Sequence, residues 1–422
     1  MRLIVFNGDI EVGTIARSRD EITFTYNDSY RRLKAATPLS VSMPLITDRH
    51  GHRVITPWLW GLLPDSEPVL KRWARDMHTT LSHPLGLLAR QGRDLPGAFQ
   101  IVTEEVGHGY APENGSVTWL SDAEVAQRLA LVRRDHTAWL GTGGNGRWSL
   151  AGAQPKIALR LQDGSWGEPS GSAPTTHILK PAIEGLDQHD LNEHLCLNAL
   201  HRLGVRVART AIQQFDAERA IVVNRYDRVH APDGSLVRLH QEDMCQALSV
   251  DPANKYEAEG GPTVAQIGAL LWNNAGGARH EALLQFADGL IANWILAAPD
   301  GHAKNYSLML QGRDIRLAPL YDIASALVYP DFHEPKIKMA MKIGNYYELG
   351  KVTINDWVKV ADHLRLDPDA LIGRARRMCA EMPAAMSAAV EDDQVQALES
   401  PMPRRLLEAV EARAERCLER LS

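Results

Sequence analysis

The sequence contains few cysteines, and no two of them are close together. Among 422 residues there are 4, and no C-x-x-C motif occurs. Zinc ribbons depend on closely spaced cysteine pairs, so this class is excluded. Separated thiols are typical of a protein that folds in a reducing compartment. The cysteines are Cys196, Cys245, Cys379 and Cys417.

Long apolar segments and an excess of positive charge are also missing. No segment reaches the roughly 18 apolar residues that a membrane-spanning helix needs. The opening MRLIVFNGD lacks the apolar run and the cleavage site of a signal peptide. We therefore expect a cytoplasmic protein with no membrane contact. The net charge of −6 argues against nucleic-acid binding over the whole surface, although it is compatible with a local basic patch.

What the sequence does contain is the composition of an ordinary globular protein, with 45% hydrophobic and 23% charged residues. The length predicts two or three domains. β-forming segments open the chain, strands around one helix follow, and helices complete it. We place the boundaries so that the parts are residues 1–130, 131–245 and 246–422. The predicted helices of the last part are Val264–Trp272, Glu281–Ala297, Thr353–His363, Asp367–Cys379 and Pro403–Leu421.

The stretch from Ala298 to Ser325 carries the strongest chemical signal. Asp300 and Asn305 stand five residues apart, and Asp322 follows a predicted hairpin. In kinase-like phosphotransferases the first aspartate accepts the hydroxyl proton, while the asparagine and the second aspartate hold Mg²⁺. Spacing alone is equally compatible with a D-G turn and a strand that ends at the surface. The rest of the chain has to decide between the two interpretations.

A glycine-rich segment, GTGGNGRWSLAGAQPK, occupies residues 141–156. Backbone N–H groups in such a loop can approach phosphate oxygens closely. The segment matches neither a Walker loop nor the G-x-G-x-x-G-x-V loop of kinases, and a flexible linker explains Gly141–Gly146 equally well. AGAQPK is more informative, because Gly152 and Lys156 directly precede a predicted strand over Ile157–Leu161.

A second predicted strand, over Thr175–Lys180, ends in a lysine. A buried lysine is costly unless it is paired, so Lys180 is a candidate phosphate contact, and a solvated strand end is the alternative. Glu193 lies on the predicted helix Leu191–Leu203 and could pair with Lys180, as a helix glutamate does in kinases. The spacing of Asp190 and Glu193 is equally compatible with a helix cap.

Together these segments resemble the HipA family, the serine/threonine kinase toxins of HipA–HipB toxin–antitoxin modules. The resemblance spans nearly the whole chain, with the motifs in family order. The matching segments are PLSVSMPL (38–45), LLPDS (62–66), SLAGAQPK (149–156), TTHILK (175–180), RYDR (225–228), QEDMCQ (241–246), KYEAEGGP (255–262), DGHAKN (300–305) and YDIASA (321–326).

The resemblance implies an α+β, protein-kinase-like, two-lobed fold. Residues 1–130 would form a β-rich N-terminal subdomain and a candidate docking region for the antitoxin. Residues 131–245 would form the N-lobe with the phosphate-binding loop. Residues 246–422 would form an all-helical C-lobe with the catalytic and metal-binding loops.

The resemblance also implies a role for individual residues. Asp300 would be the catalytic aspartate, Asn305 and Asp322 the Mg²⁺ ligands, and Ser149 the serine that is autophosphorylated to silence the kinase. The implied ATP-binding residues are Ala151, Gly152, Ala153, Gln154, Pro155, Lys156, Lys180, Asn224, Arg225, Tyr226, His302, Ala303, Lys304, Asn305, Tyr321 and Asp322.

The implied activity is ATP- and Mg²⁺-dependent phosphorylation of a translation component, an aminoacyl-tRNA synthetase such as glutamyl-tRNA synthetase, which arrests growth and promotes persistence. The implied partner is a HipB-like helix-turn-helix antitoxin, through which operator DNA would mainly be bound. Pro155 replaces an acidic residue and Asn224 a glutamate of the best-known members. Neither position belongs to the implied catalytic and metal-binding set, so we expect an active enzyme.

Two other functions compete with this hypothesis. A catalytically idle chain could act only as a corepressor on an antitoxin–operator complex. A metal-dependent hydrolase could use Asp300, His302 and Asp322, but the sequence offers no further ligands at suitable spacing. Phosphotransfer distinguishes the kinase from both.

Overall fold

The computed structural model describes residues 1–107, 110, 115–139, 148–183 and 185–422. The predicted glycine run Gly141–Gly146 lies outside the described residues. The chain divides into two compact units, each assembled from separate segments. The first unit contains residues 1–181, 214–253 and 308–315, and the second contains residues 182–213, 254–307 and 316–422. The three-part division at residues 130 and 245 stays a prediction.

The first unit begins with a five-stranded antiparallel sheet in the order β4-β3-β2-β1-β5. The β-forming segments that open the chain are strands of this sheet, because alternating apolar residues give them one buried face. Helices lie beside this sheet, and Trp58 and Trp73 are buried in the core that they share with it. The elements are β1 (Arg2–Asn7), β2 (Ile10–Ser18), β3 (Glu21–Tyr26), α1 (Asp28–Arg31), β4 (Arg49–His50), α2 (His52–Gly61), α3 (Glu67–Asp76), α4 (Leu85–Gln91) and β5 (Phe99–Thr103).

A six-stranded sheet follows, in the order β10-β11-β9-β7-β8-β6. Helix α6 begins with a capping box between Ser121 and Glu124. The turn between β7 and β8 has positive φ at Asp163 (50°) and Gly164 (77°), as the D-G pair predicts. The elements are α5 (Glu104–Gly107), β6 (Ser116–Leu120), α6 (Asp122–Arg134), β7 (Ile157–Gln162), β8 (Ser165–Ser170), β9 (His177–Pro181), β10 (Thr210–Phe215) and β11 (Glu218–Asn224).

Two small sheets contain the remaining strands up to residue 317. One is the hairpin of β12 (Arg228–His230) with β13 (Leu236–Arg238). The other has the order β14-β15-β16, in which β15 (Ser307–Gln311) and β16 (Asp314–Leu317) form the predicted hairpin around Gly312. Strand β14 (His240–Asp243) leads into α8 (Met244–Ala247).

The second unit is mainly helical. Its helices are α7 (His189–Arg202), α9 (Val264–Asn274), α10 (Arg279–Ile295), α11 (Ile354–Leu364), α12 (Pro368–Val390), α13 (Asp393–Gln396) and α14 (Met402–Arg420). Helix α14 buries its apolar stripe and packs against α12. Helix α12 continues past the predicted end at Cys379, through Pro383.

The C-terminal part was expected to be all-helical, and this expectation is wrong. Strands β17 (Lys338–Ile343) and β18 (Tyr346–Glu348) form a hairpin in the second unit. No helix among the described residues combines the length and the apolar character that a bilayer-spanning helix requires. The four cysteines are buried free thiols.

Candidate active site

Asp300 and Asn305 lie on a loop that follows the buried helix α10. Main-chain hydrogen bonds fix the residues that lead into this loop. The N–H of Ala298 donates to the carbonyl of Asn293 over 2.9 Å, and the N–H of Ala340 donates to that of Pro299 over 3.0 Å. The loop is therefore fixed to a rigid helix on one side and to β17 on the other, as a catalytic loop requires.

Gly301 is required by a close approach to α10. The Asn293 side chain donates from Nδ2 to the Tyr306 hydroxyl over 3.0 Å. A Cβ atom on residue 301 would lie 2.2 Å from the same Nδ2. The glycine in the DGHAKN motif therefore provides space for the amide that supports the loop.

The main chain of Asp300 and the side chain of Asn305 are directly connected. Nδ2 of Asn305 donates to the carbonyl oxygen of Asp300 over 2.7 Å, and the N–H of His302 donates to the same oxygen over 2.7 Å. Because the amide nitrogen is engaged, the asparagine side chain offers its oxygen as a ligand. The Asp300 side chain is 60% exposed, so its carboxylate is accessible to a substrate hydroxyl.

Sequence reasoning missed Tyr256. Its hydroxyl donates to Oδ1 of Asp300 over 2.6 Å, and its ring packs edge-on against His302 with centroids 5.0 Å apart. The available signal was the KYEAEGGP motif, to which no role was given. The two residues are 44 positions apart, so their contact is not visible from local spacing.

Tyr321 supports the far end of the Asp300–Asn305 loop. Its hydroxyl donates to the Lys304 carbonyl over 2.7 Å and lies 2.7 Å from the Ser307 hydroxyl. The next residue, Asp322, has a φ of +59°, which is uncommon for a residue with a side chain. Such backbone strain often occurs at functional sites. The second unit thus brings together Asp300, His302, Ala303, Lys304, Asn305 and Tyr321, with Asp322 next to Tyr321 in the chain.

The predicted phosphate-binding loop belongs to the first unit, and Ser149 at its start is completely buried. The Ser149 hydroxyl donates to the carbonyl of Leu62 over 2.7 Å, and its N–H donates to the carbonyl of Asp94 over 3.0 Å. The carbonyl of Gly152, whose φ is +100°, accepts from the N–H of Asp65 over 3.0 Å. This turn is therefore attached to the core of its own unit.

Lys156 closes this loop. Its Nζ donates to the carbonyl of Ala151 over 2.8 Å and lies 4.8 Å from the ring centroid of Trp139. Pro155 is buried, Gln154 is half-buried and Ala153 is exposed. The lysine that connects the two ends of the loop is therefore itself only 6% exposed.

Lys180 is 7% exposed on β9, where its backbone pairs with Ile221 of β11. This burial excludes the solvated strand end that the sequence left open, while the contact with phosphate stays a prediction. In the second unit, Asp190 and Glu193 are both buried. Helix α7 has Gln188 as its N-cap with no side-chain cap bond, so the capping interpretation of these acids is wrong. The pairing of Glu193 with Lys180 stays a prediction.

A buried ionic network surrounds Arg225 and was not predicted. Asp94 accepts from Arg225 over 3.3 Å, from Arg228 over 2.9 Å and from the Thr175 hydroxyl over 2.6 Å. Asp227 accepts from Arg225 over 2.8 Å. Burial by itself raises the pKa of Asp94, but the charges of Arg225 and Arg228 outweigh it and leave the pKa below its ordinary value.

The network changes what can be expected of residues 224–226, which the family resemblance places among the ATP-binding residues. The Arg225 side chain points into the protein and is fully engaged there. Asn224 is exposed, and the half-buried Tyr226 hydroxyl donates to Gln241. A nucleotide contact at this segment stays a prediction, and among these three residues Asn224 and Tyr226 offer side chains for it.

The donor set fits Mg²⁺ that arrives with a nucleotide. Among the residues that the structure describes, no group of three or more His, Cys, Asp or Glu could hold a metal by itself. Asn305 and Asp322 supply oxygen donors, and Mg²⁺ commonly takes one or two such protein ligands and completes its shell with phosphates and water. The hydrolase hypothesis, which needs a protein-built metal site, gains no support.

Comparison with known proteins shows to which family the chain is similar. Residues 3–102 match the family model described as the HipA N-terminal domain, and residues 148–386 match the HipA-like C-terminal domain. A Sinorhizobium fredii protein named "Putative kinase Y4mE" is 34% identical over 352 residues, which cover 82% of this chain and 81% of that protein. The serine/threonine-protein kinase toxin HipA of Shewanella oneidensis is 26% identical over 397 residues, covering 90% and 87% of the two chains.

A solved structure agrees with these sequence matches. A chain of the Shewanella oneidensis MR-1 complex of HipA, HipB and operator DNA superposes with a TM-score of 0.84 at 24% identity, over 99% of this chain and 98% of that one. The predicted HipA-like α+β fold is confirmed. From the two matching domains, the 34% identical relative and this shared fold, we conclude that the chain belongs to the HipA family.

Proposed function

We propose that the protein is an ATP-dependent serine/threonine protein kinase that acts as the toxin of a toxin–antitoxin module. The observation that carries the proposal is the loop from Asp300 to Asn305. It presents an exposed carboxylate on a backbone that the asparagine side chain holds in place. A base with this exposure and support is what phosphoryl transfer to a protein hydroxyl requires.

In the proposed mechanism Asp300 accepts the proton of the attacking serine or threonine. Asn305 and Asp322 would hold Mg²⁺, and Lys180 with the loop Ala151–Lys156 would bind the phosphates. Bound Mg-ATP supplies the transferable phosphoryl group and neutralises its charge. His302 and Tyr321 would line the nucleotide site, and Asn224 and Tyr226 would lie beside the adenine.

Autophosphorylation of Ser149 would switch the enzyme off. The buried hydroxyl is a hydrogen-bond donor to the Leu62 carbonyl. A phosphoserine carries roughly −1.5 to −2 charges and only acceptor oxygens at that position, so it could not keep this bond or this burial. We infer that modification would expel the segment and remove the phosphate-binding loop from use.

For the target we propose a translation component, an aminoacyl-tRNA synthetase such as glutamyl-tRNA synthetase, phosphorylated in the cytoplasm to arrest growth and promote persistence. A HipB-like antitoxin would be the partner. The relative named as a HipA kinase toxin and the solved HipA–HipB–DNA complex support this context. With a net charge of −6, DNA contact would come mainly through the antitoxin.

The test is the intact mass of the purified protein after incubation with Mg²⁺ and ATP. We expect the mass of one added phosphate, located on Ser149 by peptide mapping, and no addition in Asp300→Gln. Asp331→Asn, a change at another exposed aspartate, is the matched control and should behave as the native protein does. If the native protein gains no phosphate yet binds an antitoxin–operator complex, the corepressor hypothesis replaces the kinase.

A further inference from the structure

The Tyr256 hydroxyl lies 2.6 Å from Oδ1 of Asp300, the base of the proposed kinase, and no function has been given to it. We propose that Tyr256 is a positioning residue that holds one oxygen of Asp300, so that the other oxygen meets the acceptor hydroxyl. The inference rests on the proposed kinase function.

The two carboxylate oxygens of Asp300 have different surroundings. Oδ1 accepts the Tyr256 hydroxyl over 2.6 Å and lies 3.9 Å from Nε2 of His302. Oδ2 accepts no hydrogen bond from the residues that the structure describes. Because the side chain is 60% exposed, Oδ2 is the oxygen available to an incoming hydroxyl.

Tyr256 is itself held firmly. Its carbonyl accepts from the N–H groups of Glu259 and Gly261, both over 2.9 Å. A Cβ atom on Gly261 would lie 2.4 Å from the Asn254 carbonyl oxygen, so the turn cannot form without this glycine. The KYEAEGGP motif is thus a tight turn whose geometry directs the tyrosine towards the catalytic loop.

Two further bonds attach this turn to its surroundings in the second unit. The N–H of Ala303, inside the catalytic loop, donates to the Lys255 carbonyl over 3.4 Å. The N–H of Lys342 on β17 donates to Glu257 over 2.8 Å. Tyrosine, turn and catalytic loop therefore form one connected assembly.

An aspartate carboxylate rotates easily about its terminal bond, because that torsion has broad minima. A hydrogen bond to one oxygen restricts this rotation and fixes the second oxygen. During transfer, the acceptor oxygen bonds to the γ-phosphorus as the bond to ADP breaks, and the acceptor proton passes to Oδ2. Tyr256 keeps its own proton throughout, so it acts through Asp300 and not on the substrate.

The test uses Tyr256→Phe in the full-length chain, which keeps the ring against His302 and removes only the hydroxyl. The readout is the rate of Ser149 phosphorylation by intact mass over a range of Mg-ATP concentrations. We expect the saturating rate to fall roughly 10- to 100-fold, since small misplacements of a catalytic group have effects of this size. The half-saturating ATP concentration and the thermal midpoint should stay unchanged.

Tyr346→Phe is the matched control, because Tyr346 is 38% exposed on β18 in the same unit, and it should transfer at the native rate. A native rate in Tyr256→Phe overturns the inference alone. A faster rate does so too, since the tyrosine would then be blocking the carboxylate. A parallel loss of ATP saturation or thermal stability indicates a merely structural role. If the native protein transfers no phosphate, the proposed function itself fails, and this inference fails with it.

Discussion

The hydroxyl of Ser149 donates a hydrogen bond to the main-chain carbonyl of Leu62, a residue 87 positions earlier in the chain. The bond requires a donor at residue 149, and Ser149 is completely buried. A larger or negatively charged side chain at residue 149 therefore cannot occupy this buried position.

We predict that Ser149→Glu releases the segment that begins the phosphate-binding loop, whereas Ser149→Ala leaves it in place. Tryptic cleavage after Lys156, which is 6% exposed in the native protein, should become at least several-fold faster in the glutamate variant. ATP affinity measured by calorimetry should fall in parallel. Ser165→Glu, at an exposed hairpin position, is the control. Equal cleavage rates in both glutamate variants would contradict the prediction.

Asp94→Asn is predicted to be strongly destabilising. It leaves Arg225 and Arg228 buried without their shared carboxylate, and breaking a buried ion pair typically costs about 3–5 kcal/mol. Urea denaturation should show this loss, while Asp20→Asn, a change at an exposed aspartate, should cost little. Similar losses of unfolding free energy in the two variants would show that the buried network contributes no more to stability than an exposed aspartate does.

The same carboxylate predicts an acid-sensitive stability. Its pKa in the folded protein is lower than in the unfolded chain, so the unfolded state binds the proton more readily. The stabilisation is present above the unfolded value of about 3.9 and is lost as the pH falls through the lower folded value. Asp94→Asn should therefore flatten the acid limb of a stability profile, and an unchanged limb would argue against the assignment.

We expect Glu242 to give the stability the opposite pH dependence. It is buried, it accepts the N–H of Val41 over 2.8 Å, and burial raises its pKa to about 8. The folded state therefore holds the proton more tightly, and its stabilisation is complete below the unfolded value of roughly 4.3. As the pH rises from there to about 8, the free energy of unfolding should fall by at most about 1.4 kcal/mol per pH unit.

Glu242→Gln should remove this dependence, because the amide does not titrate. Urea unfolding at pH 5 and pH 8 measures it, with the exposed Glu259→Gln as control. The control should keep the native difference between the two pH values. A glutamine variant with the full native difference would show that another group is responsible.

Gly301→Ala is predicted to disable the catalytic loop. The added Cβ would lie 2.2 Å from Nδ2 of Asn293 and displace the amide that supports the loop. Phosphorylation of Ser149 should slow by roughly 100-fold. Gly373→Ala in helix α12 is the control, since a Cβ there meets nothing within 4 Å and alanine favours helix by about 1 kcal/mol. Native activity in Gly301→Ala would contradict the role of this approach.

Local spacing predicted the parts of the site that are close in sequence. Asp300 and Asn305 are on one loop, and the hairpin that separates them from Asp322 has its turn at Gly312, because turn residues and strand lengths are local signals. The bond of Tyr256 to Asp300 and that of Thr175 to Asp94 join residues 44 and 81 positions apart, and no local rule encodes such contacts.

Elements that depend on packing were also missed. Helix α2 contains an internal proline, Pro57, and a dense group of tryptophan and leucine, which reads as core without revealing its secondary structure. Helix α12 passes through Pro383, a residue that normally ends a helix. In both cases the burial of one helix face decides the outcome over local preference.

The first unit is completed by residues 308–315, although most of it lies before residue 181. During synthesis its last segment is therefore made only after about three quarters of the 422 residues. By then the whole of the Asp300–Asn305 loop has already been made. No single cut in the chain separates the two units. A truncated translation product that contains the whole first unit therefore also contains the Asp300–Asn305 loop of the second.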